Sequence, residues 1–321
     1  MRIRARWQIV ASRLMPWLWQ LLILYSPPAL SVSSPVLVAP GVYALLGEPG
    51  EISPHNRGVV GNAGFIVGDT GVVVVDTGVS YRYGRDMLAT IASVTSLPVQ
   101  LAVITTPIQE FHFGSTAFQE RGVPVLAHQK AAELIRKRCE ICLKNLRRVL
   151  GDEEMQNSRV VEPDRLIERT TRFDVGGREL QIIYLGWASA PGDLAVFDPT
   201  SGVLFAGGLV SVGQIPRLRD ADLEGWIVAL EQLDKLPAKT IVPGHGPVST
   251  PEEARQTLSY LRGLKAKVAM LYQDGVGLAE SIVRAQLPEF ESWTLYRVMH
   301  PQNVQQLYLQ FERDDIDRKG R

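Results

Sequence analysis

Ile104-Thr105-Thr106-Pro107-Ile108-Gln109-Glu110-Phe111-His112-Phe113-Gly114 is the stretch on which the reading of this chain turns. It follows the apolar run Leu101 to Ile104, which reads as a strand, and leads into Gly114 to Arg121, which reads as a helix. A carboxylate, Glu110, and an imidazole, His112, therefore stand at a strand-to-helix junction among the phenylalanines Phe111 and Phe113. Both polar groups also have a structural reading, because a carboxylate at a helix start complements the helix dipole. Upstream, Val72-Val73-Val74-Val75-Asp76-Thr77-Gly78 is a valine run of the kind that forms a fully buried strand, closed by an aspartate. Downstream, three more apolar runs end in turn-rich loops. These are Leu185-Gly186-Trp187-Ala188-Ser189-Ala190-Pro191-Gly192-Asp193-Leu194, Val203-Leu204-Phe205-Ala206-Gly207-Gly208-Leu209 and Ile241-Val242-Pro243-Gly244-His245-Gly246-Pro247.

In this order the loops resemble those of the metallo-β-lactamase superfamily, whose first metal motif is His-x-His-x-Asp-His at a strand end. On that resemblance the four motif positions fall on Thr106, Ile108, Glu110 and Phe111, the third histidine on Ser189, the bridging aspartate on Gly208 and the last histidine on His245. Of the seven implied ligand positions, His245 is identical, Glu110 keeps a carboxylate and the other five are lost. The resemblance covers about residues 36 to 312 and implies an α/β fold, a four-layer αβ/βα sandwich. Val38 to Tyr43, Asn56 to Gly58 and Asn303 to Leu309 look more like one subgroup, the quinoprotein relay system zinc metallohydrolases. That likeness implies an association with periplasmic quinoprotein oxidation systems.

Metal chemistry gives these losses their weight. Catalytic zinc takes about three protein ligands of His, Asp, Glu or Cys type and keeps a position for the water it activates. Threonine, isoleucine and phenylalanine do not supply that coordination. A rearranged site drawing on Glu110, His112, Asp193 and His245 is the alternative, with His245, Glu110 and His112 as its metal candidates. Glu110, His112, Ser189, Asp193 and His245 are the binding candidates, and no catalytic residue is assigned. His245 in a Pro-Gly-His-Gly-Pro turn and Asp193 after Pro191-Gly192 have turn readings beside the functional one. Asp76 is expected to be structural, since the resembled family uses this aspartate to orient the metal loop. His55, His128 and His300 show no ligand-like spacing.

The composition bounds the classes. A chain of 321 residues with 45% hydrophobic and 21% charged residues can bury a substantial core, and 34 basic against 34 acidic residues leave no electrostatic footprint for nucleic acid. Residues 1–34 read as a signal peptide or N-terminal anchor. Arg2, Arg4, Arg6 and Arg13 precede the apolar Leu14 to Tyr25, and small residues and prolines follow. The apolar run is short against the roughly 20 residues of a membrane span, so a periplasmic or secreted protein is expected, with a membrane partner only if the leader stays uncleaved. Residues 35–321 read as one metallo-β-lactamase-like domain with C-terminal helices. Cys139 and Cys142 form a C-x-x-C pair in a helical stretch, Lys130 to Leu150. Structural zinc would need further ligands and a thioredoxin-type motif another context, leaving plain helix residues or a local disulfide.

Periodicity supplies the elements. Strands are expected at Val42 to Leu46, Gly64 to Val67, Val72 to Asp76, Leu101 to Ile104, Val125 to His128, Leu194 to Phe197 and Val203 to Ala206, with a hairpin turning at Gly176-Gly177. Helices are expected at Tyr81 to Ser96, Gly114 to Arg121, Leu223 to Leu236 and Pro251 to Tyr272, and Gly151 to Asp164 as a surface loop. Two functions stay open. One is a non-catalytic protein, without cofactor, binding a small molecule or a periplasmic protein partner in a cleft lined by Phe111, Phe113 and Trp187. The other is a hydrolase of an ester, thioester or lactam working through one rebuilt zinc site.

Overall fold

The computed structural model describes residues 33–319, so the expected leader lies outside the described residues except for Ser33 and Ser34. In chain order the first half comprises β1 (Val36–Ala39), β2 (Val42–Leu45), β3 (Ala63–Val67), β4 (Val72–Val75), α1 (Tyr81–Val94), β5 (Val99–Val103), a 3₁₀ turn (Gln109–Phe111), α2 (Ser115–Gln119), β6 (Val125–His128), α3 (Gln129–Leu150) and β7 (Arg165–Ile167). The second half comprises β8 (Thr171–Asp174), β9 (Glu179–Tyr184), β10 (Leu194–Asp198), β11 (Val203–Ser211), α4 (Leu223–Leu233), β12 (Thr240–His245), α5 (Pro251–Gln273), α6 (Leu278–Arg284) and α7 (Tyr296–Lys319). No helix among the described residues is long and apolar enough to cross a membrane.

The strands form a seven-stranded sheet ordered β1-β2-β3-β4-β5-β6-β7 and a five-stranded sheet ordered β12-β11-β10-β9-β8. The first opens as an antiparallel meander and becomes parallel from β4 onward, where α1, α2 and α3 make the crossovers. Parallel strands covered on both faces are expected to be apolar throughout, and the valine run of β4 shows why. Val73 and Val75 point into the core between the sheets with Ile66, Leu101, Leu194 and Phe205. Val72 and Val74 point the other way, onto Tyr83, Met87 and Ile91 of α1 and Phe118 of α2. The outer face of the second sheet packs Leu204 and Ile241 against Trp226 and Leu230 of α4, Leu261 and Leu264 of α5 and Leu307 of α7. Helix, sheet, sheet and helix are thus the four layers expected from the sequence.

Local rules account for the boundaries. The β8–β9 hairpin turns on Gly176 (φ 63) and Gly177 (φ 85), both left-handed as a two-residue turn with matching twist requires. Thr250 caps α5 in a full capping box with Glu253, and Pro251 occupies the first turn.

Two expectations fail. Strand β11 runs on to Ser211 because β12 pairs with it in parallel as far as Ser211 opposite His245, with irregular register around Gly207 (φ 49). The stretch from Gly151 to Asp164 is also not a plain surface loop. Met155 is fully buried beside Phe113 and Leu146, and Glu154 is held by Arg57 at 2.7 Å.

One side chain ties the sheets together at the edge away from the loops just discussed. Arg178 donates to the Val67 carbonyl at 2.9 Å and the Pro40 carbonyl at 3.2 Å, and it pairs with Asp198, whose side chain is fully buried. Burial would raise the Asp198 carboxyl, but Arg178 and the Ser201 hydroxyl hold it below the usual carboxylate range. Removing one partner of such a pair strands a buried charge at a cost of about 3–5 kcal/mol. Arg178→Met is expected to lower the urea-unfolding free energy at neutral pH by about 3 kcal/mol. Because Asp198 is depressed in the folded state, its contribution exists above the ordinary carboxylate pKa and disappears as pH falls, so the gap to wild type should narrow in acid. A gap that is small at neutral pH or widens in acid would contradict this assignment.

Candidate functional site

The floor of the site is a buried aspartate in a left-handed conformation. Asp76 (φ 60) follows β4 and accepts from the Thr105 amide at 2.8 Å and the Thr105 hydroxyl at 2.7 Å. Burial raises its carboxyl to about 8 against these two bonds. The next amides, Thr77 at 2.8 Å and Gly78 at 3.2 Å, donate to the Phe111 carbonyl and fix the loop that carries Glu110. The structural role expected for Asp76 is this one.

Glu110 lies in the 3₁₀ turn and His245 ends β12 of the other sheet, and their side chains meet at 3.3 Å between Oε1 and Nε2. Burial alone would raise the Glu110 carboxyl, but the bond and charge of His245, with a smaller contribution from Arg217, leave it lowered. The Phe111 ring stands edge-on to the His245 ring, with centroids 5.4 Å apart, and is fully buried against Gly61. A residue the sequence did not bring forward, Asn62, holds the histidine turn. Its amide donates to the Gly244 carbonyl, and its side chain donates to the carbonyls of Pro243 and Gly246, all at 2.8 Å. Nothing in the sequence around Asn62 marks this role, since the carbonyls it donates to lie more than 180 positions away.

Ser189 and Asp193 gather beside Thr106 and Gly208. The Ser189 hydroxyl and the Ala190 amide each donate to Asp193 Oδ2 at 2.7 Å. A Cβ on Gly208 would stand 2.8 Å from Ser189 Oγ and 3.0 Å from Thr106 Oγ1, so these three positions converge on one point. Thr106 Oγ1 and Asp193 Oδ1 are buried without a partner at hydrogen-bond distance, although the hydroxyl is near enough to lower the carboxyl. Burial dominates and pushes Asp193 up to about 6.

His112 does not join either group. It turns beneath the loop, where Nε2 stands 3.6 Å from the Cys139 sulfur, and burial lowers its imidazole to about 4 against the pull of Glu110. Phe113 does not line a cleft either. It is fully buried with Val79, Ile135, Leu143 and Met155, because the chain reverses at His112 and points the next side chain under α3. Trp187 is 46% exposed and donates to the Asp220 carbonyl. Of the three aromatic residues expected along the cleft, only Phe111 stands against His245. His300, which showed no ligand spacing, is a buried core residue bonded to Tyr260 and the Ala285 carbonyl.

Zinc asks for more donors than these loops bring together. Glu110 and His245 are two donors bonded to each other, and no group of three or more His, Cys, Asp or Glu side chains able to hold a metal occurs among the described residues. Catalytic zinc takes about three such ligands. The donor set does not fit the ion.

Comparison with known proteins places the fold. A family model described as the metallo-beta-lactamase superfamily matches residues 119–245. A "Metallo-beta-lactamase type 2" of Bacteroides fragilis is 37% identical over 75 residues, which is 22% of this chain and 30% of that relative. The match therefore spans under a third of the relative's length. Among solved structures, a metallo-beta-lactamase from Pontibacter korlensis superposes with a TM-score of 0.60 at 24% identity, covering 72% of this chain and 99% of that one. The DIM-1 metallo-beta-lactamase exposed to ceftazidime gives 0.57 at 15% identity, covering 72% and 96%. The chain has the metallo-β-lactamase fold, and the superfamily's model matches part of it.

Asp193 gives a pH test of this geometry. Its folded pKa is raised to about 6, so its contribution to stability is present below the ordinary carboxylate pKa and is lost as pH rises through about 6. Asp193→Asn stays neutral and keeps an acceptor for Ser189, while Asp76 titrates in both proteins. Wild type is expected to lose on the order of 2 kcal/mol relative to Asp193→Asn between about pH 4 and pH 7. Parallel stability curves for the two proteins would contradict a strained, buried carboxyl.

Proposed function

We propose that this chain is an exported metallo-β-lactamase-fold protein that binds a small molecule or a protein partner in its cleft and does not turn over substrate on zinc. The observation that carries this reading is the Glu110–His245 hydrogen bond at 3.3 Å, in which the two remaining ligand-type side chains satisfy each other. Thr106, Ser189 and Gly208 converge where the resemblance implies metal ligands, and they bring together two buried hydroxyls, that of Ser189 bonded to Asp193, and no imidazole. Such a lining gives a metal ion no imidazole or carboxylate to bind at those positions. Export rests on the basic, apolar and small-residue order of residues 2–31. Service to a periplasmic quinoprotein system rests only on the likeness of Val38–Tyr43, Asn56–Gly58 and Asn303–Leu309 to that subgroup.

One observation favours a second reading, a hydrolase with a rearranged single-metal site. The His245 side chain is 16% exposed beside the Glu110 carboxylate, so an ion entering the cleft would meet both. Elemental mass spectrometry separates the two. After incubation with zinc and dialysis, wild type and His245→Ala are both expected to hold far less than one zinc per chain. Near-stoichiometric zinc in wild type that disappears in His245→Ala would overturn the binding reading in favour of the hydrolase.

The same geometry predicts a gain. Phe111→His would set a third donor beside Glu110 and His245, since the Phe111 ring already abuts the His245 ring. Zinc titration by calorimetry is expected to show at least about tenfold tighter binding than wild type, a change of about 1.4 kcal/mol. Unchanged binding in a folded Phe111→His protein would mean that the three side chains do not converge.

A further inference from the structure

Beneath the cleft, on the side of the loop facing α3, the pair Cys139 and Cys142 has a setting that the cleft reading leaves unused. The two residues are three apart on a regular helix, which places their side chains on one face. They differ in access. Cys139 is buried at 2% exposure among Phe113, Ile135 and Leu143, whereas Cys142 is only partly covered. They also differ in partners. The Cys139 sulfur stands 3.6 Å from His112 Nε2, while the Cys142 sulfur lies 3.6 Å from the Arg138 carbonyl, in the field of Arg219 and, opposing it, Asp220. A hydrogen bond from Cys139, with help from Arg219, draws the Cys142 thiol down to about 7 and raises Cys139 correspondingly. Low-pKa, accessible cysteines beside a second, shielded thiol are the ones that react with disulfides.

We propose that Cys139 and Cys142 form a thiol–disulfide exchange site, with Cys142 as the attacking sulfur and Cys139 as the resolving sulfur. The co-reactant is a small disulfide of the glutathione type. The Cys142 thiolate attacks one sulfur of that disulfide, forming a mixed disulfide and releasing one thiolate, which takes up the proton that Cys142 lost. The Cys139 sulfur then attacks the Cys142 sulfur, and its proton passes to the second small thiolate as that leaves. Two protein thiols are oxidised and one disulfide is reduced to two thiols.

The helix sets the character of the bond. Side chains three apart on a helix have Cβ atoms about 5–6 Å apart, whereas a disulfide holds them at about 3.5–4.5 Å. Closing it draws the Cys139 sulfur away from His112 and strains α3, and strained disulfides are the labile, regulatory kind. His112 follows Glu110 by two residues and bridges to Gly78, so the change is delivered to the loop that carries Glu110.

The test uses the full folded chain equilibrated in reduced and oxidised glutathione, quenched by alkylation and weighed intact. Wild type is expected to convert to an internal disulfide without an accumulating glutathione adduct. Cys139→Ala should accumulate the mixed disulfide at Cys142, and Cys142→Ser should remain unmodified. In parallel, the His112 imidazole resonance should shift on oxidation of wild type and stay in place in Cys142→Ser. Failure of folded wild type to form the internal bond at any glutathione ratio, an adduct first at Cys139, or a mixed disulfide at Cys142 that persists in wild type would each overturn the proposal.

Discussion

The two hydrogen bonds that Thr105 gives to Asp76 are the constraint on which the rest of this structure depends. They hold a non-glycine residue at φ 60, a conformation that costs free energy and survives only where its surroundings enforce it. With Thr105 fixed, its carbonyl accepts the Leu194 amide at 2.7 Å, which joins the end of the first sheet to the start of β10 in the second. With Asp76 fixed, the two amides after it grip the Phe111 carbonyl and set the 3₁₀ turn. Glu110 faces His245 because of this chain of bonds. An asparagine at position 76 would keep the carbonyl acceptor but replace the second oxygen with a donor facing the Thr105 hydroxyl.

Much of the fold was legible because its signals are local. The valines of β4 are apolar on both faces because both faces are covered, and the paired glycines of the β8–β9 turn permit only a few geometries. The extra length of β11 was not legible. Gly207 and Gly208 read as a strand end, and only the parallel pairing with β12, more than thirty residues later, carries the strand past them. Met155 was hidden for a related reason, since a polar loop with one methionine shows no period, and the hole it fills is made by α3 and Phe113.

The site divides along the same line. The convergence of Thr106, Ser189 and Gly208 was readable from loop order through the family resemblance, and the structure brings these positions together. The direction of His112 was not readable, because one residue's step through a turn exchanges the cleft for the interior. Its contact with Cys139 spans 27 positions and joins a loop to the middle of a helix. Asn62 is the extreme case, a single polar residue that donates to three carbonyls more than 180 positions away.

The bonds that Asn62 and Thr105 make across the two sheets run almost entirely to main-chain atoms of the opposite half. A fold stapled by a metal loses its staple when a ligand residue mutates. Here the seam is sewn onto main-chain carbonyl oxygens, which every residue supplies. The side chains of Thr106, Ile108 and Ser189 therefore carry little of the work of holding the halves together. Such a seam lets the lining of a cleft drift through sequence space while its walls stand still.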